Sequence, residues 1–376
     1  MPADVPVEPI IDEPPDVPDD IEQLASQLAG RLDAGGSRSA LELLEASLGL
    51  LTDHPDALDL KIAAAAMTEM REAFEVFGPY EDVPKVTVFG SARTRQDDPV
   101  YDQARQIAAA LAQRGWMVVT GAGPGIMQAA MEGAGRERSI GVAIRLPFEQ
   151  GANPVIAGDE KYVSMKYFFT RKLMLVKESR AFVCLPGGFG TLDETFELLT
   201  LTQTGKGLPV PIVLLDPPGD PFWKRIDGLI QDLLVDGGLV SAADTGLYLV
   251  TDSVEAACAE IDRFYANYHS IRYVGDQVVI RLRQSPSDEL LAELDERFRH
   301  LLARGRFVRS EPLDIERRHE DHLELPRLRF SFAKHKATGL RQLIDTLNRD
   351  VDPMAGAGSG RDPAVEGPTP DQVSSR

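Results

Sequence analysis

The sequence predicts an α/β protein built on an open parallel sheet with helices on both faces. Between residues 82 and 268, short apolar runs alternate with segments whose apolar residues recur at helical spacing. Apolar runs without polar alternation are typical of parallel strands that are buried on both faces. Two of these runs end in glycine-rich turns, at 121–125 and 187–190. A helical arm before the sheet and a small α+β unit after it complete the predicted architecture.

The N-terminal region is predicted to be a tail followed by helices. Residues 1–20 are acidic and rich in proline, so we expect a disordered tail. Residues 21–80 form the predicted helical arm, which ends at Gly78-Pro79. Its clearest helix carries one apolar stripe: Leu58, Ile62, Ala66, Met70, Phe74 and Phe77. We expect this stripe to pack on the main domain or on a second subunit.

The central region, 82–268, contains seven predicted strands joined by helices. The predicted strands are 86–89, 116–119, 139–144, 162–165, 181–185, 211–215 and 247–250. The predicted helices are 98–114, a helix from 126, 166–177, a helix beginning near 191, 221–235 and 253–266. This order indicates a Rossmann-like domain, whose ligands bind at the carboxyl ends of the strands.

The C-terminal region follows a looser pattern, which predicts a small α+β unit over 269–350. Its expected strands are 271–282, 307–315 and 328–333, and its expected helices are 286–304 and 338–348. Residues 351–376 are rich in glycine, proline and serine, which favours a disordered tail.

The composition excludes several classes of function. The formal charge is −19, from 40 basic and 59 acidic residues, and such a surface disfavours nucleic acid and anionic membranes. No apolar run approaches the roughly 20 residues of a membrane span, and the acidic N-terminus does not resemble a signal peptide. Cys184 and Cys258, the two cysteines, are predicted to be reduced core thiols. We therefore expect a cytoplasmic protein.

The two glycine turns together predict a phosphate and ribose pocket. Gly187, Gly188, Gly190 and Thr191 lie between a buried strand and a helix N-terminus, where converging backbone N–H groups favour an anion. Ser91 follows a third strand. A tight turn that binds nothing is the alternative for either turn alone.

The second turn differs from known nucleotide fingerprints. The spacing of Gly121, Gly123 and Gly125 departs from the dinucleotide pattern, and Arg145 stands where an acid would hold a ribose. An NAD site is therefore a minority interpretation, and the nucleotide P-loop is absent.

The candidate chemistry uses a carboxylate and a guanidinium. Region 82–268 contains no histidine, which excludes a catalytic histidine from this domain, and the His319/His322 pair lacks further metal ligands. Glu194, placed in the first helical turn, is expected to stay ionised and to stabilise a cationic sugar centre. Arg171 is expected to clamp phosphate or hydroxyls. A first-turn helix charge and a surface ion pair are the respective alternatives.

These motifs together resemble the Lonely-Guy (LOG) phosphoribohydrolase family, long described as lysine decarboxylase-like. The matching segments are 90–93, 121–127, 146–150, 168–174 and 186–194. The resemblance implies hydrolysis of a nucleoside 5′-monophosphate to free base and ribose 5-phosphate, with no metal or organic cofactor. It places the catalytic pair on Arg171 and Glu194, and it implies a homodimer or a higher homo-oligomer.

We assign the ligand contacts in two sets on the same basis. Phosphate is assigned to Gly187, Gly188, Gly190, Thr191 and Ser91. Ribose and base are assigned to Gly121, Gly123, Gly125, Met127, Glu149, Gln150, Asn153 and Lys172.

The substrate and two rival functions stay open at this point. Phe168-Phe169 replaces a Met-His pair of the plant enzymes, and Ala122 replaces a glycine, so an AMP-like purine nucleotide competes with a cytokinin riboside 5′-monophosphate. A non-catalytic nucleotide-binding regulator is the alternative from another class. Lysine decarboxylation would require Lys172 to form a Schiff base with pyridoxal phosphate, and the sequence offers no group of residues that would support this role.

Overall fold

The computed structural model describes residues 19–31, 38–53, 55–146, 151–333 and 336–351. The predicted tails at 1–20 and 351–376 lie almost wholly outside these residues. The chain divides into two compact units, Met1–Glu69 and Met70–Arg376. The predicted domain boundaries at 80, 82 and 268 stay predictions.

The first unit is helical where it is described. It contains α1 (Asp19–Arg31), α2 (Arg38–Thr52) and the first part of α3 (Ala57–Phe77). The last part of α3 belongs to the second unit, where Ala73 and Phe77 are buried. Phe74 is about half exposed, so the predicted stripe is only partly buried within that unit.

Seven parallel strands form the main sheet, which confirms the predicted α/β class. The strands are β1 (Lys85–Phe89), β2 (Met117–Thr120), β3 (Ser139–Ile144), β4 (Tyr162–Met165), β5 (Ala181–Cys184), β6 (Ile212–Leu215) and β7 (Leu249–Thr251). The intervening helices are α4 (Pro99–Gln113), α5 (Ile126–Ala134), α6 (Phe168–Lys177), α7 (Phe189–Thr204), α8 (Phe222–Leu229) and α9 (Val254–Phe264). A π-helical segment, Ile230–Val235, continues α8.

Both faces of the main sheet are covered, which explains the apolar runs in the sequence. On β1, Val86 and Val88 pack in a core with α4, α5 and α9. Phe89 packs on the opposite face, in a core shared with α6 and α7. Alternate residues of a strand point to opposite faces, so every residue of β1 is buried.

The strand order reverses beside β1. The order is β4-β3-β2-β1-β5-β6-β7, so the chain builds one half outward from β1 and then returns to its other side with β5. The pairing runs from Val86–Ala181 to Phe89–Cys184. Doubly wound folds bind ligands at such a point, in the crevice outside the carboxyl ends of the strands.

The C-terminal region forms a four-stranded antiparallel sheet in the order β10-β11-β9-β8. Its elements are β8 (Tyr268–Val274), β9 (Gln277–Leu282), α10 (Asp288–Arg297), β10 (Leu302–Ser310), α11 (Asp314–Arg318), β11 (Arg327–Phe332) and α12 (Thr338–Asn348).

Two predicted strands of this region were wrong. Residues 271–282 form a hairpin because Gly275, with φ +63°, turns the chain back between β8 and β9. The strand expected over 307–315 ends at Ser310. Pro312 follows, and α11 begins at Asp314 because the Glu316 carboxylate accepts the N–H of Leu313 and caps the helix.

Buried polar groups join α12 of the C-terminal region to α9 and to the start of β8. The Asn348 side-chain oxygen accepts the N–H groups of Asn267 and Tyr268, each at 2.8 Å. Its amide group donates to the carbonyl of Phe264 at 2.7 Å. Arg341 on α12 forms a buried ion pair with Glu260 on α9. These bonds fix α12 against the end of α9.

Among the helices that the structure describes, none has the length and apolar character needed to cross a bilayer.

We expect Asn348→Ala to lower the free energy of unfolding by about 3 kcal/mol, because two buried N–H groups lose their acceptor. Arg349→Ala removes only exposed pairs with Glu293 and Asp350, so it should cost less than about 1 kcal/mol. Urea unfolding followed by circular dichroism measures both. Equal losses in the two variants would contradict this role for Asn348.

Candidate active site

A cavity of about 820 Å³ lies at the carboxyl ends of β1, β2, β3 and β5. Its described lining residues include Gly90, Ser91, Arg93, Gly121, Gly123, Met127, Arg145, Tyr162, Ser164, Phe168, Arg171, Gly188, Phe189, Gly190, Thr191, Asp193 and Glu194. The cavity therefore lies where the strand order reverses, and it brings both predicted glycine turns together.

The turn after β5 presents backbone amides to this cavity. Helix α7 begins at Phe189 with Gly188 as its N-cap residue, so the first N–H groups of the helix have no carbonyl partner within it. A Cβ added to Gly188 or Gly190 would meet no described atom within 4 Å. The helix N-terminus is thus open on the side where an anion would bind.

Gly187 is required for close packing of the same turn. A Cβ at this position would lie 2.1 Å from Oγ1 of Thr191 and 3.1 Å from the backbone N of Ser91. The missing side chain lets the loops after β1 and β5 touch. Gly187 is absent from the described lining of the cavity, so its contribution there is to the packing of the turn.

Ser91 connects three loops through its backbone. Its N–H donates to the carbonyl of Pro186 at 3.2 Å, and its carbonyl accepts the N–H of Ile126 at 3.0 Å. Its hydroxyl accepts the N–H of Arg93 at 3.1 Å. Ser91 lines the cavity, and its backbone groups hold the surrounding loops together.

The second glycine turn makes room for side chains of the site. A Cβ on Gly121 would lie 2.0 Å from Nη2 of Arg171 and 2.7 Å from Sδ of Met127, and one on Gly123 would lie 2.7 Å from Cε of Met127. Gly125 has φ +66° and lies against the loop of Ser91. Gly121 and Gly123 therefore act mainly by making room for Arg171 and Met127.

Arg171 extends from the second turn of α6 across the end of β3. Its Nε donates to the carbonyl of Val142 at 3.0 Å, which fixes the guanidinium beside Gly121. The side chain lines the cavity. The predicted clamping of phosphate or hydroxyls by this guanidinium stays a prediction.

Glu194 lies deeper than the sequence predicted. Because α7 begins at Phe189, Glu194 stands in its second turn, where only 7% of the residue is exposed. Burial raises the pKa of this carboxyl, and the charges of Lys172 and Arg171 only partly oppose the effect. Glu194 therefore does not lie in the first helical turn, as the sequence predicted, and burial opposes the ionised form that the helix N-terminus was expected to favour.

The Glu194 carboxylate also has one unsatisfied oxygen. Oε2 is buried and accepts no hydrogen bond from the residues that the structure describes. Nζ of Lys172, at 3.6 Å, is close enough for an ion pair but too far for a hydrogen bond. A buried acceptor without a donor is costly, so such a group points to a functional site.

Three predicted ribose or base contacts are not supported by position. Asn153 is buried, where its amide donates to the carbonyl of Gly123 at 3.2 Å and its oxygen accepts the N–H of Val155, so it holds the second turn. Lys172 points to carboxylates of α7 and is absent from the described lining of the cavity. Gly125 is also absent from that lining. Glu149 and Gln150 lie outside the described residues.

Sequence reasoning missed several residues of the cavity. Arg93 and Arg145 lie in motifs that were noted, yet neither was assigned to the site. Tyr162 and Ser164 come from a strand whose pattern gave no functional signal. Phe189, 93% exposed at the start of α7, also lines the cavity. Position at strand ends was the signal available for the arginines.

Comparisons with known proteins identify relatives of part of this chain. A family model described as "Possible lysine decarboxylase" matches residues 125–261. The cytokinin riboside 5′-monophosphate phosphoribohydrolase of Mycobacterium tuberculosis is 33% identical over 164 residues, which is 41% of this chain and 81% of that protein. The enzyme of the same name, LOG, from Oryza sativa subsp. japonica is 33% identical over 150 residues, 38% of this chain and 60% of that protein.

Solved structures also resemble the chain. The molybdenum cofactor carrier protein from Chlamydomonas reinhardtii is 23% identical, and the match covers 48% of this chain and 97% of that protein, with a TM-score of 0.33.

Lys172 does not suit the lysine decarboxylase activity that the family description names. Burial lowers the pKa of its amine, but Asp193 and Glu197 outweigh this effect, raise the pKa and keep the amine charged. A Schiff base requires a neutral amine.

The match to the mycobacterial enzyme, at 33% identity over 81% of that enzyme, identifies the family. The chain belongs to the Lonely-Guy (LOG) family of nucleotide phosphoribohydrolases.

Proposed function

We propose that this enzyme hydrolyses the N-glycosidic bond of a nucleoside 5′-monophosphate and releases free base and ribose 5-phosphate. The observation that carries the proposal is that Arg171 and Glu194 line the same cavity as the open amides of Gly188 and Gly190. The relatives from Mycobacterium tuberculosis and Oryza sativa are named cytokinin riboside 5′-monophosphate phosphoribohydrolases.

The phosphate end of the substrate belongs at the start of α7. The N–H groups of Gly188, Gly190 and Thr191 supply donors, and the helix dipole adds positive charge. Arg93 and Arg145 line the same cavity and carry further positive charge. These groups attract a dianion into a protein whose formal charge is −19.

The sugar belongs between this phosphate site and the Glu194 carboxylate. As the C1′–N bond breaks, its electron pair leaves with the base and positive charge develops at C1′, which an anionic Glu194 stabilises. A water oxygen then bonds to C1′, and a proton from that water ends on the base. Arg171 orients the phosphate or the ribose hydroxyls. This step balances without a cofactor.

We place the base beside apolar lining residues of the cavity. Met127, Tyr162 and Phe168 are among these residues, and aromatic rings stack on purines. We therefore propose an AMP-like purine nucleotide as substrate, and a cytokinin riboside 5′-monophosphate as the second candidate to be tested beside it.

We expect Glu194→Gln and Arg171→Ala each to lower kcat by about 100-fold or more, because the first removes the anion that stabilises C1′ and the second removes the cation that orients the substrate. Chromatography of the base released from AMP and from a cytokinin riboside monophosphate measures this. Asp262→Asn and Arg114→Ala are the control variants, because they remove the same kinds of charge from an exposed ion pair between the end of α4 and α9. Both should keep near wild-type rates. Wild-type turnover in both site variants would contradict the assignment.

We also expect Glu194→Gln to be more stable than the wild type at pH 8. The folded-state pKa of Glu194 is raised, so ionisation above that pKa weakens the folded state, whereas below the unfolded-state pKa both states bind the proton. The gain in unfolding temperature should therefore shrink towards pH 4. Calorimetry at both pH values measures it. A gain that is absent at pH 8, or larger at pH 4, would contradict a desolvated carboxyl.

We propose further that the enzyme forms a homodimer through α6. Phe169 and Leu173 on this helix are about half exposed, and their apolar surface suits a second copy of the same chain. Phe169→Asp should shift the sedimentation coefficient from dimer to monomer. The control variant Leu239→Asp, at an exposed leucine outside α6, should leave the sedimentation coefficient unchanged. A monomeric wild type would contradict this proposal.

A further inference from the structure

Lys172 connects α6 to three carboxylates of α7. Its Nζ lies 2.7 Å from Oδ2 of Asp193, 2.5 Å from Oε2 of Glu197 and 3.6 Å from Oε2 of Glu194. The lysine side chain is only 17% exposed. A largely buried cation thus stands between two helices, with Glu194 as one of its three anionic neighbours.

Adjacent residues of α6 face different surroundings. Successive helical residues point about 100° apart, so Arg171 reaches the cavity while Lys172 turns towards α7. The two strong contacts of Lys172, with Asp193 and Glu197, are one turn apart on α7 and fix the ammonium over the edge of that helix. Lys172 is absent from the described lining of the cavity, whereas two of its partners, Asp193 and Glu194, line it.

The balance of charge around Glu194 depends on this lysine. Lys172 and Arg171 from α6 favour the ionised carboxyl, whereas Asp193 and Glu197 on its own helix oppose it. The buried Cys184 thiol of β5 lies nearby and carries no charge, because burial raises its pKa to about 12. Removing Lys172 would leave two acids and burial acting against a single arginine.

We propose that Lys172 is a positioning residue that keeps the Glu194 carboxylate ionised and correctly oriented without touching the substrate. This inference rests on the proposed glycosidase function. It replaces the ribose or base contact expected from the sequence, and it gives a physical reason for a lysine beside the arginine.

The test is the pH dependence of kcat/KM for Lys172→Met, with AMP or whichever monophosphate the wild type cleaves. Lys172 favours the ionised Glu194, so its loss should move the acidic limb of the profile upward by about 1 pH unit. The rate should fall about 10-fold on that limb and recover at alkaline pH. KM should change less than about 2-fold. Lys172→Arg, which keeps the charge, should retain the wild-type limb.

A second variant separates electrostatics from loss of fold. Lys172→Met combined with Glu197→Gln removes one opposing acid, so its acidic limb should return part of the way towards the wild-type position. Thermal unfolding of each variant confirms that it is folded at the assay temperature.

Three results would overturn the proposal. An equal loss of rate at every pH would show a merely structural lysine. A raised KM with unchanged kcat would show a substrate contact, and an unmoved limb would show no coupling to Glu194. Failure of the proposed function is distinguishable, because the wild type itself would then release no base.

Discussion

The site depends on the close approach of loops that glycine alone permits. A Cβ on Gly90 would lie 2.5 Å from Cγ2 of Ile126, and the corresponding contacts at Gly121 and Gly187 are 2.0 and 2.1 Å. Side chains at Gly90 and Gly187 would push the loops after β1, β2 and β5 apart, and one at Gly121 would displace the guanidinium of Arg171. Because the loops meet, Arg171 from α6 and the amides at the start of α7 share one cavity.

Much of the main sheet was predictable because burial on both faces leaves a direct mark on sequence. The predicted bounds of β3 and β4 coincide with the observed Ser139–Ile144 and Tyr162–Met165. The hairpin at Gly275 was missed because one apolar-rich stretch spans both strands, and the turn rests on the positive φ of a single glycine.

The site was predictable in its components and not in its depth. Glycine turns, Arg171 and Glu194 follow from residue type and order. Gly190 disfavours helix by propensity, yet it lies inside α7, so the helix starts earlier and places Glu194 one turn further in. The partners of Lys172 and Asn153 depend on how helices and loops face each other in space, which no local pattern specifies.

Burying Glu194 has opposite consequences for stability and for chemistry. A carboxylate in a water-poor site interacts more strongly with a developing positive charge, but the same desolvation favours its neutral form. A nearby cation can keep the carboxylate ionised and still useful under two conditions. It must not contact the reacting atoms, and it must not neutralise the carboxylate completely. Lys172, shared with Asp193 and Glu197 and 3.6 Å from Glu194, meets both conditions. The ion cluster between α6 and α7 therefore favours the anionic form of the buried Glu194, although Lys172 makes no direct hydrogen bond to this carboxylate.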